Sequence, residues 1–422
     1  MKTNTAQQNI PSGWTEVALT DVSSVNPEQI NPNESPDDFF QYIDIASVKD
    51  FKIQEMKTVT GLKAPSRARR LVKKGDILIS NVRPNLKGIC KVPTFSTDTL
   101  CSTGFSVVRA NTVDENLLYQ ILSEDKFTDY LVDKTTGSNY PSVSSNDVSS
   151  YEFLIPKDKS EQQNIAEILG TVDEDIAKTQ EVIKATEKLK RGLMQQLFSR
   201  GIGHTKFKET KVGKIPETWE AGGFLNFVNP EDKNAIKPGP FGSSLKKSFY
   251  VEKGFKIYGQ EQVISGNAFY GNYYVNEEKY KELEGFKVEA GDILISLVGT
   301  IGKILVVPDN FEKGIINPRL LKITPDKTKA DSQFIAQLLK SDFLIEQMGK
   351  KSHGGTMNIL NKGMLMSVTF GVPPITEQKE IAEILSAVDE KILVNKKLKS
   401  KLTLLKKGLM QDLLSGAKRV NI

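Results

Sequence analysis

At 422 residues, with 38% apolar and 26% charged side chains, the chain has the composition of a globular protein and exceeds the usual size of one domain. A formal charge of +5 and a pI near 8.8 point toward an acidic partner such as nucleic acid without establishing one. Two cysteines exclude a disulfide framework, and the absence of a long apolar run excludes a transmembrane helix, so a cytoplasmic protein is expected.

The first domain is expected over residues 1–156. Its clearest strand signal is GDILIS (Gly75–Ser80), a Gly-Asp turn feeding an apolar run. Asp76 there reads as a turn residue rather than a catalytic acid. The loop after it, SNVRPNLKG, offers Asn81, Arg83, Asn85 and Lys87. STGF adds Ser102 and Thr103, and the segment from Thr135 to Asp147 adds Ser138, Asn139, Tyr140, Ser142 and Ser145. Small residues let backbone amides approach phosphates, while Arg, Lys, Asn and Gln read base edges. The basic stretch Lys63–Lys74 is equally a solvated face or a phosphate contact.

A long helix is expected over 157–200. Ser160 followed by Gln163 has the form of a capping box, and Gly201 suits a left-handed residue past the end. Ile165, Leu169, Val172, Ile176, Ile183, Leu193 and Leu197 follow the spacing of a coiled-coil seam. Polar Thr179 and Lys190 interrupt it, and the lysine stem reads as snorkelling to water. Residues 201–214, RGIGHTKFKETKVGK with its flanks, read as a polar linker with a solvated His204.

The second domain, 215–373, carries its own GDILIS (Gly291–Ser296) with Asp292 in the turn. Candidate nucleic-acid contacts are Phe241, Gly242, Ser243, Ser244 and Lys246 in GPFGSSLKKS, and Gln260 in GQEQ. Further along are Gly299, Thr300 and Lys303 in SLVGTIGK, Asn317 and Arg319 in INPR, and Gly355, Thr356 and Asn358 in SHGGTMNILNK. A second helix over 374–416 opens near Thr376 and ends before Gly416, leaving a tail of 417–422. Its seam is Ile381, Leu385, Val388, Ile392, Leu402, Leu409 and Leu413, with polar Asn395, Lys399 and Lys406.

The chain repeats itself. EQQNIAEILGTVDEDI at Glu161 recurs as EQKEIAEILSAVDEKI at Glu377, 216 positions later; LKRGLMQQLFS recurs as LKKGLMQDLLS, and GDILIS as itself, at the same offset. IPSGW (Ile10–Trp14) returns as IPETW (Ile215–Trp219). Four matches in one order mark a duplication of a whole domain plus helix, too long in period for a solenoid. Each helix is a rod of roughly 60 Å that needs a partner, and the other copy is the obvious one. The expected architecture is two α/β (α+β) domains separated by two long antiparallel helices that form a coiled-coil spacer with a pseudo-two-fold axis. Around their GDILIS strands the two domains differ almost completely, as two different binding surfaces would.

These helix signatures, together with GIGHTKFKETKVGKIPETWE, PFGSSLKKSFY, SLVGTIGK, NPRL and GGTMN, resemble the specificity subunits of type I restriction-modification enzymes. The resemblance spans essentially the whole chain. It implies two target-recognition domains, each reading half of a bipartite asymmetric DNA site, with the paired helices setting the unread spacer. It also implies two adenine-N6 methyltransferase subunits that bind S-adenosylmethionine, and two restriction subunits that use ATP and Mg. No cofactor or metal is implied for this chain, which would be non-catalytic. The first domain has VRPNLKG where the second has the GTIGK loop, so its contacts are harder to place.

No catalytic constellation is evident. GTIGK is too short for a phosphate loop and resembles the GxxG clamp of an RNA-binding module only weakly. With His204 and His353 as the only histidines, triad or clustered metal chemistry is not expected. Asp37 with Asp50-Phe51-Lys52 is a loose nuclease-like pattern of the kind chance produces. Two rivals stand beside DNA recognition: a coiled-coil interaction scaffold that binds no DNA, and a recognition module of a different defence complex.

Overall fold

The computed structural model describes residues 10–137, 139–298, 300, 302–350 and 361–420. The chain divides into two units, Met1–Gln180 with Lys397–Ile422, and Glu181–Lys396.

In both units the GDILIS segment dictates the local fold. Gly75 and Gly291 take φ of +89° and +88°, which a side chain would resist. The next aspartate closes the turn, Asp76 accepting from Lys73 N at 2.8 Å and Asp292 from Glu289 N at 2.7 Å. The apolar run then forms a wholly buried strand, Ile77–Ser80 or Ile293–Ser296. Both aspartates are therefore structural. Asp76 also holds Arg109, whose Nε and Nη2 each donate at 2.7 Å. In the second unit Lys322 lies 3.7 Å from Asp292, and burial pushes that carboxyl above its ordinary pKa.

Around this strand the first unit builds an antiparallel sheet in the order Ser23–Val25, Phe105–Ala110, Ile77–Ser80, Ile89–Lys91. A second sheet runs Lys57–Thr60, Phe39–Ile43, Thr99–Ser102, Ala68–Val72, with one parallel pair in which Gln41 faces Thr99. The second unit repeats the scheme: Ile236–Pro238, Leu320–Ile323, Ile293–Ser296, Ile304–Val306, and a five-stranded sheet whose parallel pair sets Lys256 against Gly314. Both members of that pair are shifted by 215 from their counterparts. The divergence in sequence thus stops short of strand order. Buried strands tolerate the exchange of one apolar side chain for another, so the topology survives when identities do not. Each domain is tied off by a two-stranded ribbon, Trp14–Ala18 with Glu152–Pro156, and Glu220–Gly222 with Phe370–Val372.

The long helices run Lys159–Arg200 and Ile375–Leu414. The first is capped by Asp158, not Ser160: its carboxylate accepts from Ser160 N at 2.7 Å and Glu161 N at 3.3 Å. The second begins before Thr376, which lies inside its first turn. Gly201 and Gly416, at φ of +64° and +71°, follow the helices as expected.

Within the first unit, Lys406 Nζ reaches Asp173 Oδ1 at 2.7 Å, and Lys399 reaches Gln180 at 2.7 Å. Within the second, Lys190 Nζ donates to both oxygens of Asp389 at 2.7 and 2.8 Å. In the same unit Lys396 reaches Glu187 at 2.7 Å, so in each unit one partner number rises as the other falls and the helix segments are antiparallel. Ile165, Leu169, Ile381 and Leu385 are fully buried along the seam, and each unit's helices share one core with its domain. The seam lysines are corrected by this geometry. They do not snorkel to water but end on polar side chains of the facing helix, Lys190 and Lys406 on carboxylates and Lys399 on the Gln180 amide oxygen. Asp173 and Asp389 also accept from Gln120 and Gln337 of their own domains, each at 2.8 Å. Burial pushes the Asp389 pKa up, but the bonds from Gln337 and Lys190 outweigh it and hold the carboxyl below its usual value. Lys190→Ala is expected to destabilise the second unit by about 1–2 kcal/mol in urea unfolding, with the loss coupled to that of Asp389→Ala in a double-mutant cycle. A null effect would restore the snorkelling account.

The segment expected to be a polar linker is instead a β-hairpin, Phe207–Thr210 with Gly213–Pro216. Gly213 at φ +95° permits its tight turn. His204 is corrected as well. Its Nε2 lies 2.9 and 3.0 Å from the Glu377 oxygens, edge-on to Trp219, and only 21% of its side chain is exposed. Glu377 also accepts from Trp219 Nε1 at 2.8 Å and Ile202 N at 2.9 Å. In the first unit the counterpart, Glu161, takes Arg419 from the C-terminal tail at 2.6 and 2.7 Å.

Candidate nucleic-acid interface

The candidate loops rest on one backbone frame, present in each unit. At the end of the GDILIS strand, Ser80 N donates to Gly88 O at 2.8 Å and Ser296 N to Lys303 O at 3.0 Å. The following residue reaches a second loop, Asn81 N donating to Gly104 O at 2.8 Å and Leu297 N to Arg319 O at 2.9 Å. That second loop is held by a short polar side chain accepting two residues on: Ser102 Oγ from Gly104 N at 3.2 Å, Asn317 Oδ1 from Arg319 N at 2.9 Å. The frame is the same and its cargo differs. Where the first unit has Lys87, Gly88 and Gly104, the second has Gly302, Lys303 and Arg319.

In the first unit three candidate loops converge. Val143 N donates to Asn81 O at 2.9 Å and Arg83 N to Pro141 O at 2.8 Å, zipping the loop after the strand to the segment from Thr135 to Asp147. Arg83, Asn85, Asn139 and Tyr140 are exposed. Asn81 and Ser102 are turned inward instead. Asn81 accepts from Ser106 Oγ at 2.8 Å, and that hydroxyl also meets Ser145 Oγ at 3.1 Å, so these side chains pin loops rather than face a partner. Thr103 and Ser142 are half-buried, and Lys87 ends on Asp125, whose carboxyl is held down to about 2 by the Lys87 and Lys407 hydrogen bonds. Arg83 and Lys87 occupy the left-handed region at φ of +50° and +51°, each costing about 1–2 kcal/mol. Lys87 does so where the second unit has Gly302, at φ +74°.

In the second unit Asn317 sits at the crossing point. Its N–H donates to Tyr258 O at 2.8 Å, and a Cβ on Gly239 would come within 1.9 Å of its carbonyl oxygen. Gly239 N donates to Leu320 O, and Gln260 to Val298 O, so the loops around residues 240, 260, 300 and 318 form one surface. Phe241, Gly242, Ser243, Lys246, Thr300, Lys303 and Arg319 are exposed on it, Phe241 to 87%. Ser244 and Gln260 are half-buried. Ser138, Gly299, Gly355, Thr356, Asn358 and His353 lie outside the described residues.

The stretch Lys63–Lys74 is not a simple basic face. Its strand Ala68–Val72 alternates in and out, Arg70 is buried, and Lys73 pairs with Glu28 at 2.6 Å. Asp50 and Phe51, both at positive φ, make the turn between Val48–Lys49 and Lys52–Ile53. Among the described residues no three His, Cys, Asp or Glu side chains are placed to hold a metal, and no helix is long and apolar enough to cross a membrane. The carboxylates Glu161, Asp173, Glu377 and Asp389, which organise the helix ends and seams, escaped the sequence reading. Their signal was present, since each recurs at the same place in the repeated EQ…VDE segment.

Comparison with known proteins agrees with this architecture. The family model described as the type I restriction modification DNA specificity domain matches twice, at residues 11–187 and 209–404. A putative type I restriction enzyme MjaX specificity subunit of Methanocaldococcus jannaschii is 27% identical, over 97% of this chain and 95% of its own. The MjaVIII specificity subunit of the same organism is 27% identical over 76% and 74%. Among solved structures, the type I restriction-modification S subunit from M. genitalium superposes with a TM-score of 0.58 at 17% identity, covering 98% of both chains. A chain solved in work on assembly and conformational transition of the type I R-M system gives 0.56 at 23% identity, covering 96% and 99%. The two matches of one family model, falling on the two copies of one fold, mean that the chain belongs to the type I restriction-modification DNA specificity family.

Proposed function

We propose that the two loop surfaces read the two halves of a bipartite, asymmetric duplex DNA target, and that the chain does so without a catalytic site of its own. It scaffolds two adenine-N6 methyltransferase subunits, which carry S-adenosylmethionine, and two restriction subunits, which use ATP and Mg, in the cytoplasm. The observation that carries this reading is the common loop frame with relocated cations. A duplicated support that exchanges Lys87 for Gly302, Gly88 for Lys303 and Gly104 for Arg319 suits two readers of unlike sequences. Clustered exposed Arg, Lys and Asn favour DNA over a purely protein-binding scaffold.

The test is a gel shift of the complex with its methyltransferase at low and moderate salt. Lys303→Ala is expected to weaken binding on all sequences and reduce the salt slope by about one, as loss of a phosphate contact does. Arg319→Ala is expected to cost roughly 1–3 kcal/mol and relax specificity at one base pair. Unaltered binding by both variants would remove these loops from the interface, and a wild-type complex indifferent to DNA would favour the scaffold.

A further inference from the structure

The first unit's loop tip has a feature that hydrogen-bonded base reading does not require. Tyr140 is 73% exposed, yet its ring is not loose: the Arg83 guanidinium lies over it, 5.4 Å from the centroid. Arg83 is fixed in turn. Its backbone sits at φ +50° and ψ +60°, and its N–H is bonded to Pro141 O, the residue next to Tyr140. Antiparallel bridges of Ser142 with Val82 and with Thr136 stiffen the tip from both sides. The result is a flat aromatic face, presented to solvent on a strained and cross-bonded support, with a cation behind it.

Such a face suits the π-surface of a nucleobase, which binds aromatic rings by stacking and gains from a neighbouring guanidinium. In duplex DNA base faces are covered by their neighbours, so a stacking residue must enter a base step and open it. We propose that Tyr140, backed by Arg83, inserts at a base step in or beside the first unit's half-site and stacks on the base it exposes. The inference rests on the DNA-reading function proposed above. It makes Tyr140 a specificity-determining residue that acts through the ease of unstacking, since pyrimidine–purine steps open more readily than others.

The experiment uses the full chain with its methyltransferase and DNA containing 2-aminopurine, placed in turn at positions in and beside that half-site, excluding the adenine that is methylated. The wild-type complex is expected to raise fluorescence several-fold at one position, the base across the opened step that loses its stacking neighbour, while the base stacked on Tyr140 stays quenched. Tyr140→Ala is expected to abolish that rise and weaken binding about tenfold to a hundredfold. Tyr140→Phe keeps both, and Arg83→Ala lowers the rise. A Tyr140→Ala complex with unchanged fluorescence and affinity overturns the proposal, as does a variant that loses methyltransferase assembly while its DNA signal stays intact. Specific binding by wild type with no responsive position overturns the insertion alone, whereas no specific binding at all overturns the DNA reading with it.

Discussion

Glu377→Ala is expected to destabilise the second unit by roughly 3 kcal/mol, because one carboxylate serves three donors, one of them on a fully buried indole. The Trp219 indole is fully buried, and the Ile202 N–H is held where the chain leaves the first long helix. His204 would lose both of its close oxygens. Removing the acceptor strands these groups, and the cost of an unpaired buried donor exceeds the value of the bond it made. The equivalent change, Glu161→Ala, is expected to cost less. Its main partner Arg419 keeps 44% of its side chain in water and can be solvated there. Urea unfolding of the two variants checks both the size and the order, and a loss under about 1 kcal/mol for Glu377→Ala would remove it as the organiser of that corner.

Exchange of residues 215–372 for the matching segment of another family member is expected to change one half of the recognised target and leave the other half intact. The segment leaves beside the point where it enters, since the ribbon pairs Glu220 with Val372 and Gly222 with Phe370. The cut at 215 falls within the hairpin strand Gly213–Pro216, so the graft must also keep the pairing of Phe207 with Pro216 and Lys208 with Ile215. The graft must keep apolar side chains at the positions of Trp219 and Phe370, which share a core with Ile381 and Leu385 of the long helix. Each mismatched base pair costs about 1–3 kcal/mol, so two or three altered pairs should lower methylation of the old target at least about thirtyfold. Sequencing of methylated adenines reads the outcome directly. New bases in both halves would refute independent readers.

The repeat made much of this architecture legible. Glycine followed by aspartate at 75–76 and 291–292 has few folds open to it, and each became the expected turn into a buried strand. Four-and-three spacing at Ile165, Leu169 and Val172 has one economical burial, against another helix. What failed were readings of single polar residues. Asp158 displaced Ser160 as the cap because its carboxylate reaches two first-turn amides, one of them that of Ser160, which already lies inside the helix. Nothing in a linear spacing reveals that Lys190 and Lys406 meet Asp389 and Asp173 across the seam. The common strand order was hidden for the opposite reason, that pleated sheets accept many apolar sequences.

By itself the sequence determined the duplication, the two long amphipathic helices and the strand that anchors each domain, because periodicity and glycine backbone preferences act between near neighbours. Only the tertiary structure decided which loops meet, that Asn81 and Ser102 turn inward while Arg83 and Tyr140 face out, and that His204 closes on Glu377. Those outcomes depend on hydrogen bonds between residues distant along the chain, where burial leaves each polar atom one acceptable partner and the sequence alone does not say which.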